Sequence, residues 1–239
     1  MAFYATTKIL IKNNTLGDFD ITEYVSGNIT VDYGIQNNDP TNRIASSGEM
    51  RLSILDRDSK FRPGLSTYDS RFNLGAKVEL SITFNSDRAP IKKFTGYITN
   101  ITFRDNTPVD RVVNVRIGDW ISFASKQPLI VPTVQTNKRA DEAIQEIIAA
   151  SILQPENTTL EAGIFTFPTV FDTVKVESTA LSEISKLVLS EFGYAYLRQE
   201  VDGDRFVFEG RNTRNIKTLT KICLLYTSDA ADDMQCVDL

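Results

Sequence analysis

Lys77-Val-Glu-Leu-Ser-Ile-Thr-Phe84 decides the fold class. Val78, Leu80, Ile82 and Phe84 recur at every second position, with polar residues between most of them. A period of two lays one set of side chains on one face of a strand, whereas a helix would group positions three and four apart. The same alternation continues in both directions. Upstream, Gly48 to Leu55 places Met50, Leu52 and Ile54 together, and Lys8 to Lys12 makes a short strand that ends at the turn-rich Asn13 to Gly17. Downstream, Phe94 to Phe103 puts Tyr97, Thr99, Ile101 and Phe103 on one side and Phe94, Gly96 and Ile98 on the other, and Arg111 to Ile117 aligns Val113, Val115 and Ile117. Several half-buried antiparallel strands separated by polar turns predict a β-barrel or sandwich over residues 1–133.

Two long loops interrupt these strands, Ile35 to Ser47 and Asp56 to Gly75. Loops of this length inside a compact domain usually serve contacts or binding, so residues 35–47 and 61–75 are expected to touch neighbouring subunits. After Pro128 and Pro132 the period changes. Residues 139–151 form a helix with Ala143, Ile144, Ile147 and Ile148 on one face, capped by Thr136 or Asn137. Thr179 to Phe192 forms a second helix, with the stripe Leu181, Ile184, Leu187 and Val188, a cap at Ser178 or Thr179 and a stop at Gly193. A hairpin follows, Tyr194 to Arg198 and Arg205 to Glu209, turning at Asp202-Gly203. The fold class is mainly β with α+β character, and the domain boundary falls near residue 133.

Residues 223–239 resemble translated sequencing adapter: Cys223 to Ser228 read back as a transposase end, Asp229 to Asp232 fit the adapter beyond it, and Cys236 to Leu239 fit a flow-cell primer. This resemblance implies a non-native tail, a native frame broken off near Ile222, and a metagenomic source. The tail holds four aspartates, no Lys or Arg, and both cysteines; without it the formal charge moves from −5 to −1. The rest of the chain therefore offers no thiol chemistry, and the absence of histidine rules out His-based triads and the usual zinc sites. No stretch reaches the ~20 apolar residues of a membrane span, and Met1 to Lys8 lacks the pattern of a secretory leader.

The candidate chemical groups are few. Asp56 and Asp58 flank Arg57 at a strand end, where carboxylates cap turns or pair with arginine more readily than they make a catalytic pair. Trp120, the sole tryptophan, is either a sugar platform or a core anchor; Ile121 and Phe123 beside it favour the core. Lys92, Lys93, Arg104, Arg111 and Arg116 are interleaved with Asp105, Asp110 and Asp119, so they read as a solvated or interface face rather than a phosphate patch. Phosphate-binding glycine loops, CxxC pairs and calcium loops are lacking. Catalytic, cofactor-binding and metal residues are therefore expected to be none, and nucleic-acid recognition is not expected.

The order of these pieces resembles the baseplate hub or minor tail proteins of tailed phages, a family related to late control proteins and to the spike-bearing proteins of contractile injection machines. The resemblance is carried by Asp20-Ile-Thr-Glu-Tyr-Val25, by Glu49 to Pro63, by Gly75 to Ile98 with Phe94-Thr-Gly-Tyr-Ile98, by Arg116-Ile-Gly-Asp-Trp120 leading to Gln135–Ile144, and by Glu191-Phe-Gly-Tyr194 through Phe208-Glu-Gly-Arg211. It departs from the usual pattern where Leu55-Asp56 replaces a Leu-Asn pair. The resemblance implies a tube-like β-barrel domain over 1–133 and a truncated α+β hub domain over 134–222. It further implies a structural, non-enzymatic role at the tail tip, assembled in the bacterial host cytoplasm as a ring or trimer between the tail tube and distal tip proteins. Outward-facing Thr, Asn and Ser suit the wet contacts of such a subunit. Two alternatives stay open: the N-terminal part of a tail-associated cell-wall hydrolase, and a glycan-binding tip protein.

Overall fold

A computed structural model describes residues 5–35, 42–84, 89–105, 111–129, 133–172, 174, 178–211, 222–223 and 236–237. The first half is one antiparallel sheet of seven strands: β1 (Ala5–Lys12), β2 (Phe19–Asp20), β3 (Val25–Gly34), β4 (Ser46–Leu55), β5 (Lys77–Phe84), β6 (Ile91–Asp105) and β7 (Arg111–Gly118), in the order β2-β1-β5-β6-β7-β4-β3. The mainly β reading holds, although the sheet stops short of hydrogen-bonded closure, with β2 and β3 as its edges. It is nonetheless curled. Only Ile21 to Tyr24 separates the two edge strands, and residues 22–24 form a single 3-10 turn. Five chain steps reach roughly 18 Å at most, whereas the edges of a flat seven-stranded sheet lie about 29 Å apart. The inner face consequently encloses one core, with Ile9, Ile11, Met50, Leu52, Ile54, Val78, Leu80, Phe94, Ile98, Val113, Val115 and Ile117 all buried.

The long loop after β4 closes one end of this curl. Phe61 and Phe72 are fully buried, and their rings meet edge to face at 4.9 Å. Phe19 stacks on Phe61 at 5.8 Å, and Tyr24 meets it edge-on at 5.2 Å. Within residues 61–75, Phe61 and Phe72 thus plug the core, while Pro63 to Thr67, Ser70 and Asn73 to Gly75 stay exposed, so the loop is anchored by two rings and still presents an outer surface. Of the other loop, residues 36–41 lie outside the described set, and Ile44 bridges to Ala195 in the second half.

The second half adds α1 (Trp120–Ala124), β8 (Gln135–Arg139), α2 (Ala140–Ala150), β9 (Asn157–Leu160), β10 (Thr166–Val170), α3 (Ala180–Ser190), β11 (Tyr194–Glu200) and β12 (Gly203–Glu209). Helices α2 and α3 bury the expected stripes against β11 and β12, joined by Trp120 and Ile121 in a second core that already begins at α1. Two capping expectations change. Helix α2 starts at Arg139, whose backbone N–H donates to Glu142 Oε2 at 2.9 Å, because Thr136 and Asn137 belong to β8. Helix α3 is capped by Thr179 as expected, but its left-handed terminal residue is Phe192 (φ 53°), not Gly193. Phe192 N–H donates to Leu189 O and Gly193 N–H to Val188 O, the paired bonds of a Schellman ending. Gly193 is needed for a different reason: a Cβ there would lie 2.6 Å from Glu209 O.

Most of residues 223–239 lies outside the described set; Ile222–Cys223 and Cys236–Val237 pair antiparallel with each other. Among the described residues no helix is long and apolar enough to cross a membrane.

Candidate assembly surface

Residues on the outer face of the sheet alternate with the core residues just named. Arg51 and Ser53 of β4, Asn114 and Arg116 of β7, and Asn100 and Thr102 of β6 form two adjoining shallow concavities, which Asn28 and Thr30 of β3 extend. Register brings them together: Ser53 pairs with Asn114, Arg51 with Arg116, and Asn100 with Arg116 across the ladders. Ser53 Oγ donates to Asn114 Oδ1 at 2.8 Å, Thr102 Oγ1 to Asn100 Oδ1 at 2.9 Å, and Thr99 Oγ1 to Arg116 O at 3.1 Å.

Two arginines directly opposite each other repel, and Glu49 offsets this. Its carboxylate accepts from Arg51 Nε at 2.8 Å and Nη2 at 3.0 Å, and lies 3.8 Å from Arg116 Nε. The hydrogen bonds from Arg51 hold the Glu49 carboxyl below its ordinary range. A carboxylate held ionised by guanidinium is poorly placed to move protons. The face is a set of fixed donors and acceptors with mixed charge, suited to a hydrated protein contact.

The other candidates are dispersed. Asp56 is buried at the end of β4; Oδ1 accepts from Phe61 N–H at 3.3 Å, and Arg62 Nε lies 3.7 Å from Oδ2, so this carboxylate organises the plug loop. Asp58 sits outside, 3.4 Å from Lys60 Nζ. Trp120 is 1% exposed and donates Nε1–H to Leu153 O at 2.9 Å, which removes it as a sugar platform. Of the basic group, Arg104 and Arg116 line the concavities, Lys92 pairs with Glu79 at 3.1 Å, and Arg111 donates to Ser59 Oγ at 2.5 Å. They do not form one phosphate-binding patch. Asp110 lies outside the described residues.

Sequence reasoning missed β3, which supplies Asn28 and Thr30. Ile29, Val31 and Tyr33 do alternate there, but Gly27 (φ 80°) and shifts in register after Ser26 and Asp32 interrupt the pattern.

Asp119, between the two cores, was also missed as a buried acid. It caps α1, accepting from Ser122 N–H at 2.8 Å, while its own N–H donates to Gly48 O at 3.0 Å. A Cβ on Gly48 would stand 2.4 Å from Asp119 Oδ2, so glycine permits this approach. Burial pushes the Asp119 carboxyl up to about 7, and the nearby Asp204 carboxylate adds to the shift. The folded state therefore holds a proton that the unfolded chain releases near its ordinary value of 3.8. Its stabilising contribution is complete below that value and is lost as pH rises through about 7. Urea unfolding at acidic and mildly alkaline pH is expected to show a loss on the order of 2–4 kcal/mol from this group. Asp119→Asn removes that part of the slope, and an unchanged slope in the variant would contradict the assignment.

No protein-family model matches the chain, and no curated protein matches it in sequence. Solved structures do match its fold. The 43 kDa tail protein of prophage MuSo2 from Shewanella oneidensis aligns over 84% of this chain and 54% of its own, at 10% identity and a TM-score of 0.52. A tail protein from Neisseria meningitidis aligns over 85% of this chain and 50% of its own, at 14% identity and a TM-score of 0.51. A chain of the Francisella PdpA-VgrG complex aligns over 91% of this chain and 30% of its own, at 11% identity and a TM-score of 0.53. The chain thus shares its fold with a prophage tail protein, a second tail protein and a chain of a VgrG complex, and spans about half the length of those two tail proteins.

Proposed function

We propose that the chain is a structural component of a phage tail tip, a baseplate hub or minor tail protein that joins the tail tube to distal tip proteins. The observation that carries this reading is the continuous polar outer face of the curled sheet, in a fold shared with solved tail proteins. A subunit of this kind needs a rigid body and surfaces that repeat around an axis. The curled sheet supplies the first, and its Asn, Thr, Ser and Arg face supplies the second. The role is structural rather than enzymatic, and the chain assembles with copies of itself as a ring or trimer. The two hydrophobic cores correspond to a tube-like body domain and an α+β hub domain, with α1 packed into the latter.

Immunogold electron microscopy of particles made from the complete tail gene set tests this placement. Label concentrated at the distal end of the tail is expected; purified, infective particles without the chain would overturn the reading.

A further inference from the structure

The second core carries a surface feature unrelated to the polar sheet face. Phe192, 53% exposed, occupies a left-handed backbone conformation that disfavours bulky side chains. Its ring lies between two arginines: Arg43 Cζ is 5.7 Å from its centroid, and Arg211 Cζ is 5.9 Å from it. Each arginine covers a second ring as well. Arg43 stands 5.0 Å over Tyr194, and Arg211 stands 5.2 Å over Phe165, which is 42% exposed. The surface is thus an alternating row, Tyr194–Arg43–Phe192–Arg211–Phe165.

The row is held from beneath. The fully buried Glu191 carboxylate accepts from Phe165 N–H at 2.9 Å and Ile164 N–H at 3.1 Å, and Arg43 Nη1 donates to Phe192 O at 2.8 Å. Among the described residues, no carboxylate lies within 4 Å of either guanidinium.

We infer that this row is a docking site for an acidic peptide segment of a partner protein, one that presents carboxylates to Arg43 and Arg211 and an apolar side chain against Phe192. Aromatic and arginine side chains supply most of the binding energy at protein interfaces, and a guanidinium fork fits a carboxylate in two parallel hydrogen bonds. The hydrogen bond to Phe192 O holds the Arg43 fork beside its two rings, so less side-chain freedom is lost there on binding. Strained backbone of this kind persists where the surrounding structure enforces it, and such positions cluster at ligand-contacting sites. The site joins Arg43, from the loop before β4, to residues around the second core, and stands whether or not the sheet face makes subunit contacts.

The test selects from a yeast-displayed library of random peptides on the full chain. Enriched peptides rich in Asp and Glu beside aliphatic or aromatic residues are expected. They should bind about tenfold or more weakly to the Arg43→Ala/Arg211→Ala double variant. Phe192→Gly provides an independent arm: it should weaken binding to a similar degree while leaving the melting temperature equal or higher, since glycine accepts the left-handed conformation without strain. Neutral or basic enriched peptides, no enrichment, or undiminished binding by both variants would overturn the proposal. So would self-association of the wild type that the arginine variant abolishes, because the occupant would then be a second copy.

Discussion

Trp120→Ala is expected to destabilise the chain by roughly 3–5 kcal/mol. Trp120 opens α1 directly after the Asp119 cap, so its ring is carried into the second core at the seam between the two halves. There it meets the Phe206 ring edge-on at 5.0 Å and donates its indole N–H to Leu153 O. Truncation removes both contacts, opens a cavity in a close-packed region, and deprives a carbonyl of its donor. Trp120→Phe keeps much of the ring and loses the hydrogen bond, so a smaller loss of about 1–3 kcal/mol follows. Urea unfolding of the two variants checks the order. Equal stability of all three proteins would mean that the indole is not the anchor of this core.

Phe61→Ala is expected to cost a similar amount, about 3–5 kcal/mol, although it lies in a twenty-residue irregular loop (residues 56–75). The ring is fully buried among Phe19, Tyr24 and Phe72, and the backbone at this position is fixed by the Asp56 carboxylate. Leu74 in the same loop is 64% exposed, and Leu74→Ala should change stability by no more than about 0.5 kcal/mol. The contrast separates a plug from a mobile contact loop. If Phe61→Ala and Leu74→Ala proved equally mild, the loop would not close the core.

The strands with unbroken alternation were legible in the sequence. Lys77–Phe84 has the bounds its period indicates, and Val113, Val115 and Ile117 face the core together. What defeated the pattern was local irregularity. A register shift near Thr99 changes the parity of β6, so Ile98 and Ile101 both pair with core-facing residues, Ile117 and Val115, despite being three apart. The sides assigned by simple alternation therefore fail in the second half of that strand. Phe192 escaped notice because Gly193 beside it was the obvious helix stop, and left-handed geometry on a phenylalanine has no signature in sequence. The plug was not legible for a related reason: Phe61 and Phe72 sit in a stretch without a period, and burial there depends on the curl of the whole sheet. The polar outer face was partly visible as the outward Asn, Thr and Ser of β6 and β7, while Asn28 and Thr30 depended on recognising β3.

Sedimentation velocity of the purified chain beside an Arg116→Glu variant tests the central claim most directly. Arg116 lies exposed on the sheet face, next to Glu49 and opposite Arg51, so the substitution inverts charge at the middle of the proposed contact without touching either core. The account predicts that the wild type forms a ring or trimer and that the variant sediments as a monomer with an unchanged melting temperature. A wild type that stays monomeric at high concentration, or a variant that assembles as well as the wild type, would contradict it.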